Sequence, residues 1–310
     1  MPWLHPDEDH GASGDLRWLS AIRRDTRFGR HSPPSRRARG VWLWSEHDQH
    51  DRVVPNAEGP EGELSVRTQR TTARVVGSLF IAGTVAGIVG LALFQQPVID
   101  AEDYLTQVSR NESQVATGAL LELIMGIAVV AIAIVIYPVL RQHSERLAIG
   151  YVAARTIEGV FYVISTVALL TLLTVSRDFV NAGASDAFLF QSLGDLLLAG
   201  RDWAGHAVLD ATAFTVSALI LNYALYQARL VPRWLSAWGL VGALLYMAAG
   251  VLVMYGLEPL STTQVGFEAP LGVQEMVLAL WLIVKGFNEA AFASDPEIEP
   301  VAGQGEDVLT

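Results

Sequence analysis

Apolar residues gather into six long runs separated by short polar stretches. They lie near residues 75–94, 116–140, 147–175, 203–226, 235–255 and 271–287. A helix needs about 20 such residues to cross a hydrocarbon core roughly 30 Å thick. Hydrocarbon offers no partner to a free backbone group, so each run is predicted to be helical. The pattern predicts an all-α integral membrane bundle of six transmembrane helices over residues 71–288.

The flanks differ. Residues 1–70 carry no sustained helical or strand period, and runs such as Ser32-Pro33-Pro34-Ser35 and Asn56-Ala57-Glu58-Gly59-Pro60 are dense in breakers. Such a segment buries too little apolar surface to offset its ordering entropy, so a disordered cytoplasmic arm is expected. The cluster Val41-Trp42-Leu43-Trp44 is the exception, suited to touching lipid headgroups. No apolar core follows the early charges, so no cleavable signal peptide is expected. Residues 289–310 read as an acidic cytoplasmic tail.

Composition agrees with the pattern. Charged residues make up 17% of the chain, against about 25% in soluble domains, and mean hydropathy is +0.34. Cysteine is absent, which removes disulfides, thiolate metal sites and cysteine nucleophiles. A formal net charge of -11 gives no support for nucleic-acid binding. The expected partner is the lipid bilayer.

Basic residues set the expected orientation. Arg67, Arg70 and Arg74 precede the first run, Arg141 and Arg146 follow the second, Arg229 and Arg233 follow the fourth, and Lys285 closes the sixth. All fall on one side if both termini are cytoplasmic. The other loops carry Asp100, Glu102, Asp103, Asp178, Asp186, Asp195, Glu258 and Glu268. A plasma membrane of bacterial type is expected. The interrupted stretch 186–200 is too short to span; it reads as an amphipathic helix lying on the outer surface or capping the bundle, or as a packed outer loop.

Ionisable groups at bilayer depth are costly and face the bundle interior. In the third run Tyr151, Arg155, Glu158, Tyr162 and Ser165 recur at spacings of four and three, one stripe on one helix face. Arg155 and Glu158 are close enough to pair. Glu122 adds a second acid between Gly118 and Gly126, His206 and Asp210 sit four apart, and Glu275 lies in the sixth run. These six residues, Glu122, Arg155, Glu158, His206, Asp210 and Glu275, form the candidate site. The acids are expected to line one outward-facing cavity with Arg155 at its floor.

Three functional readings compete for such a cluster: a proton or cation path, a metal site, or a small molecule or lipid headgroup with Arg155 as its anionic clamp; the plain alternative is an ion pair that only locks helix packing. One imidazole is too few for a metal centre. His5, His10, His31, His47 and His50 in the arm are irregularly spaced. No P-loop, dinucleotide glycine run, nucleophile elbow or paired-histidine zinc motif appears. No cofactor is therefore expected, and an intramembrane enzyme is the least favoured of the functional classes. Gly83, Gly87 and Gly90 read as a helix-packing seam, as do Gly239, Gly242 and Gly250. Pro138 is expected to end the second helix.

Four pieces carry a resemblance. They are Thr72-Ala73-Arg74-Val75-Val76-Gly77, Arg155-Thr156-Ile157-Glu158-Gly159, Leu230-Val231-Pro232-Arg233-Trp234 and Leu280-Trp281-Leu282-Ile283-Val284-Lys285-Gly286. In this order the segment 71–288 resembles the bacterial membrane family catalogued as domain of unknown function 4386. The resemblance implies a six-span multipass protein and no assigned activity. Family members begin just before the first span, so a start near Val66 is expected. The functional expectation is a multipass membrane protein whose polar interior binds or moves a small cation, proton or polar ligand. The alternative is a structural or interaction protein assisting a membrane partner.

Overall fold

A computed structural model describes residues 60–182 and 186–292, with side chains from residue 67 onward. The chain divides into two units, Met1–Val54 and Pro55–Thr310, and the described residues belong to the second. The expectations for residues 1–59 and 293–310 lie outside them.

Helix α1, Pro60–Val89, opens within the stretch expected to be disordered. It passes through a π-helical segment, Gly90–Gln95, into α2, Gln96–Ile99. A short α3, Tyr104–Arg110, leads to α4, Glu112–Arg141, and α5, Glu145–Asn181. Then α6, Ala187–Asp202, runs through a second π-helical segment, Trp203–Phe214, into α7, Thr215–Gln227. Helices α8, Arg233–Met254, and α9, Thr262–Val284, complete the set, followed by a 3-10 turn at Glu289–Ala291. No strand occurs among the described residues.

Among the described residues, six continuous helical runs are long and apolar enough to cross a membrane: Arg67–Ile99, Glu112–Arg141, Glu145–Asn181, Ala187–Gln227, Arg233–Met254 and Thr262–Val284. The chain is an all-α multipass membrane bundle. Two runs outgrow their sequence boundaries. Residues 187–202 are helical rather than a loop, and the π-helical segment joins them without a break to the fourth span. The sixth span starts at Thr262 and carries Pro270 within it. Its N-cap is Ser261, whose Oγ accepts from Gln264 N at 3.4 Å. Helix α4 likewise continues three residues past Pro138 before Gln142 caps it.

The spans pack as a closed ring in chain order. Helix α1 contacts α4, α4 contacts α5, α5 contacts the fourth span, the fourth contacts α8, α8 contacts α9, and α9 returns to α1. Small residues allow the close approaches. A Cβ on Gly83 would stand 3.2 Å from Ala128 Cβ, and one on Gly77 would stand 2.5 Å from Ala279 O. The outside is apolar: Ile127 is 69% exposed and Val284 72%. Among the buried side chains are Arg155, Glu158, Asp210 and Gln274. This polar interior inside an apolar coat is what hydrocarbon solvent selects.

One apolar cluster holds one end of the ring, with Ile136, Tyr151, Leu225, Leu235 and Leu282 among its members. A second, with Val98, Leu105, Val115 and Leu172, packs α3 against α4 and α5. Here Tyr104 Oη donates to Asp195 Oδ1 at 2.6 Å. Burial, and next the Asp195 carboxylate, raise the Tyr104 hydroxyl above its ordinary pKa, so it remains a donor.

Candidate functional site

The stripe read from α5 faces the interior. Tyr151, Arg155, Glu158 and Ser165 are all buried. Arg155 sits at the centre with every arm of its guanidinium used. Nε donates to Tyr151 Oη at 3.1 Å, and Nη1 to both Glu158 oxygens at 3.0 and 3.1 Å. Nη2 reaches across the ring to Glu275 Oε1 at 3.4 Å. Ser217 Oγ donates to Glu158 Oε2 at 3.3 Å. The rings of Tyr151, Phe80 and Phe214 lie 5.5, 5.7 and 5.7 Å from Arg155 Cζ, within cation–π range. Four spans therefore converge on this one cation.

A second polar group adjoins it. Asp210, from the π-helical segment of the fourth span, is 6% exposed. Gln264 Nε2 donates to Glu268 Oε1 at 2.7 Å and to Asp210 Oδ2 at 3.5 Å, so one amide nitrogen bridges the two carboxyls. The same amide nitrogen lies 3.4 Å from the His206 carbonyl oxygen. Gly250 of α8 presses on this segment, where a Cβ would stand 2.6 Å from Ala211 N. Tyr162 and Tyr246 lie within electrostatic range of both Asp210 and Glu275. Tyr246 also packs on Phe214 at 4.6 Å between centroids.

Glu122 has a different partner, which sequence reasoning missed. Arg201, at the end of α6, donates through Nη2 to Glu122 Oε2 at 3.1 Å and to Gln95 Oε1 at 2.5 Å. Its Nε donates to Ser165 Oγ at 2.8 Å. Gln95 completes the knot by donating to Gly118 O at 3.0 Å. A Cβ on Gly118 would meet Gln95 Cγ at 2.7 Å, so the close approach needs glycine there. Of the six expected residues, Arg155, Glu158 and Glu275 meet directly and Asp210 adjoins them. Glu122 belongs to the Arg201 knot, and His206 offers its carbonyl.

Gln95, Arg201, Gln264 and Glu268 were the additional polar residues. An arginine inside the apolar stretch 187–227 was the signal available for Arg201. No group of three or more His, Cys, Asp or Glu side chains suited to a metal ion occurs among the described residues.

Both π-helical segments lie at these groups, since Gln95 ends the first and Asp210 sits within the second. Such segments are rare and recur at functional sites.

Six apolar spans closed around a polar interior define a multipass membrane protein. The family model described as Domain of unknown function (DUF4386) matches residues 75–286. The chain belongs to that family. No curated protein and no solved structure matches it.

Proposed function

We propose that the bundle binds and passes a small cation across the plasma membrane, with the proton as the ion its interior serves best. One observation carries this reading. Glu158, Glu275, Asp210 and Glu268 bring four carboxyl groups into the two adjoining groups, against the single cation Arg155. An uncompensated carboxylate inside a bundle is costly. Protons or a small cation relieve the excess. Asp210 and Glu268 are the ion-binding pair, and Arg155 is the fixed counter-charge for Glu158 and Glu275. Tyr162 and Tyr246 offer hydroxyls near both groups. The π-helical segment at Asp210 supports a site whose backbone departs from regular helix for a reason. Both termini are cytoplasmic in this reading, because Arg67, Arg70, Arg74, Arg141, Arg146, Arg229, Arg233 and Lys285 share one side.

The test is flux in proteoliposomes carrying a trapped pH dye, under an imposed potassium diffusion potential. Acidification that depends on protein, and that Asp210→Asn with Glu268→Gln abolishes, is the expected result. Repeating the assay with a sodium gradient and a sodium dye separates the ions. Rates equal to those of empty vesicles in both assays end the proposal.

A second reading rests on the Arg201 knot, whose guanidinium is held through Nε and Nη2 and whose acid is already paired. Such a knot suits a scaffold that assists a membrane partner. Cross-linking in native membranes, with a partner retained at fixed stoichiometry, is the result that reading requires.

A further inference from the structure

At the arginine-rich end of the bundle, the α7–α8 turn and the end of α9 enclose an open cleft of about 460 Å³. Arg229, Arg233 and Lys285 line it, together with Trp281, Phe287 and Asn288. The cleft is built by two chain reversals tied to each other. Arg229 takes a left-handed φ of 53° and Gly286 a φ of 76°. Asn288 N donates to Leu230 O at 2.9 Å, and Asn288 Nδ2 to Arg229 O at 3.2 Å. The floor is apolar, since Leu230 and Phe287 are buried.

The charges are uncommitted. Arg70, Arg141, Arg155, Arg177 and Arg201 each pair with a carboxylate. Arg229, Arg233 and Lys285 form no ion pair among the described residues. Arg233 lies over the Tyr226 ring at 5.2 Å. Stacking leaves the planar fork of an arginine free to meet phosphate oxygens. On α9, Val284, Leu280 and Val273 are 72%, 56% and 52% exposed. Their spacing of four and seven puts them on one face. That apolar stripe begins beside Lys285 and runs away from the cleft along the span.

We infer that this cleft seats the phosphodiester headgroup of an anionic phospholipid, with an acyl chain lying along the Val284–Leu280–Val273 face. Three cations match a phosphate, and an apolar track leading from them matches a lipid where a free anion needs none. Basic pockets between spans on the cytoplasmic side recognise headgroups in this way. The inference does not depend on ion passage, because it uses neither Asp210 nor Arg155.

The test compares thermal melting of the full-length protein in mixed micelles containing phosphatidylglycerol or phosphatidylcholine, or in phosphatidylcholine with inorganic phosphate. Phosphatidylglycerol is expected to raise the midpoint by about 4 °C, by linkage of binding to the folded state. Phosphatidylcholine and inorganic phosphate leave it unmoved. The triple variant Arg229→Asn, Arg233→Gln, Lys285→Gln loses the shift; asparagine is chosen because it tolerates the left-handed backbone. Lys285→Gln alone reduces the shift, which keeps the test valid if the triple variant folds poorly. No shift in the parent, an equal shift in Lys285→Gln, or an equal shift with phosphatidylcholine overturns the inference. A shift reproduced by inorganic phosphate overturns the lipid assignment in favour of a free-anion site.

Discussion

Arg201 Nη2 donates to Glu122 Oε2 at 3.1 Å across 79 positions of sequence. The bond ties the fourth span to the second. It also explains why Glu122 does not join Arg155, since its charge is already answered.

Removing Arg201 should therefore be severe. Arg201→Met strands the Glu122 carboxylate and leaves Gln95 Oε1 without its donor. Orphaning one partner of a buried pair costs about 3–5 kcal/mol, so melting in detergent should fall sharply. Arg201→Met combined with Glu122→Gln should be milder than Arg201→Met alone. Additive losses in that double-mutant cycle would mean the two residues are not coupled.

Arg155→Lys should not behave as a conservative change. Arg155 uses three nitrogens aimed at Tyr151, Glu158 and Glu275, and a lysine has one. A loss of about 2–4 kcal/mol is expected from the acid left unpaired. Arg155→Met with Glu158→Gln should melt higher than Arg155→Met alone. The reverse order would show that the Glu158 charge has another partner.

Gly250→Ala places a methyl group 2.6 Å from Ala211 N and 3.0 Å from Ala207 O. Both are backbone atoms of the π-helical segment, so α8 must shift away. Overpacking of this kind costs about 1–3 kcal/mol. Gly266→Ala is the control, with open space around it. Equal melting of the two variants would contradict the packing described here.

Orientation can be read chemically, because the chain has no cysteine. Glu102, in the α2–α3 connection before the second span, and Gln142, which caps α4 at that span's other end, are both exposed. A membrane-impermeant maleimide should label Glu102→Cys in intact cells and Gln142→Cys only after permeabilisation. The opposite pattern would invert the orientation.

The spans and the α5 stripe were legible because both depend on local contrast. A helix of apolar residues in lipid must turn Tyr151, Arg155, Glu158 and Ser165 inward, whatever packs beside it. Span ends were less legible. Asp195 and Gly200 interrupt the run before Trp203, and only the π-helical continuation makes 187–227 one helix. Arg201 was lost with that boundary. Glu268 and Gln264 were lost similarly, since the apolar run begins only at Leu271 while the helix starts at Thr262. Partners across the ring, such as Arg155 with Glu275, depend on how the six spans close, which no local pattern encodes.

That closure constrains how the protein is made. Ring neighbours are chain neighbours, so all interfaces but one can form as consecutive spans leave the insertion machinery. Arg155 meets Glu158 within its own helix and enters lipid already neutralised. The remaining interface, α1 with α9, waits for the last span, which brings Glu275 and seats Ala279 against Gly77. A chain halted after its fifth span would form an open trough with its polar wall turned toward lipid. Biogenesis thus ends on a single latch, and a nascent chain that fails to close it stays recognisable to the membrane proteases that clear unfinished proteins.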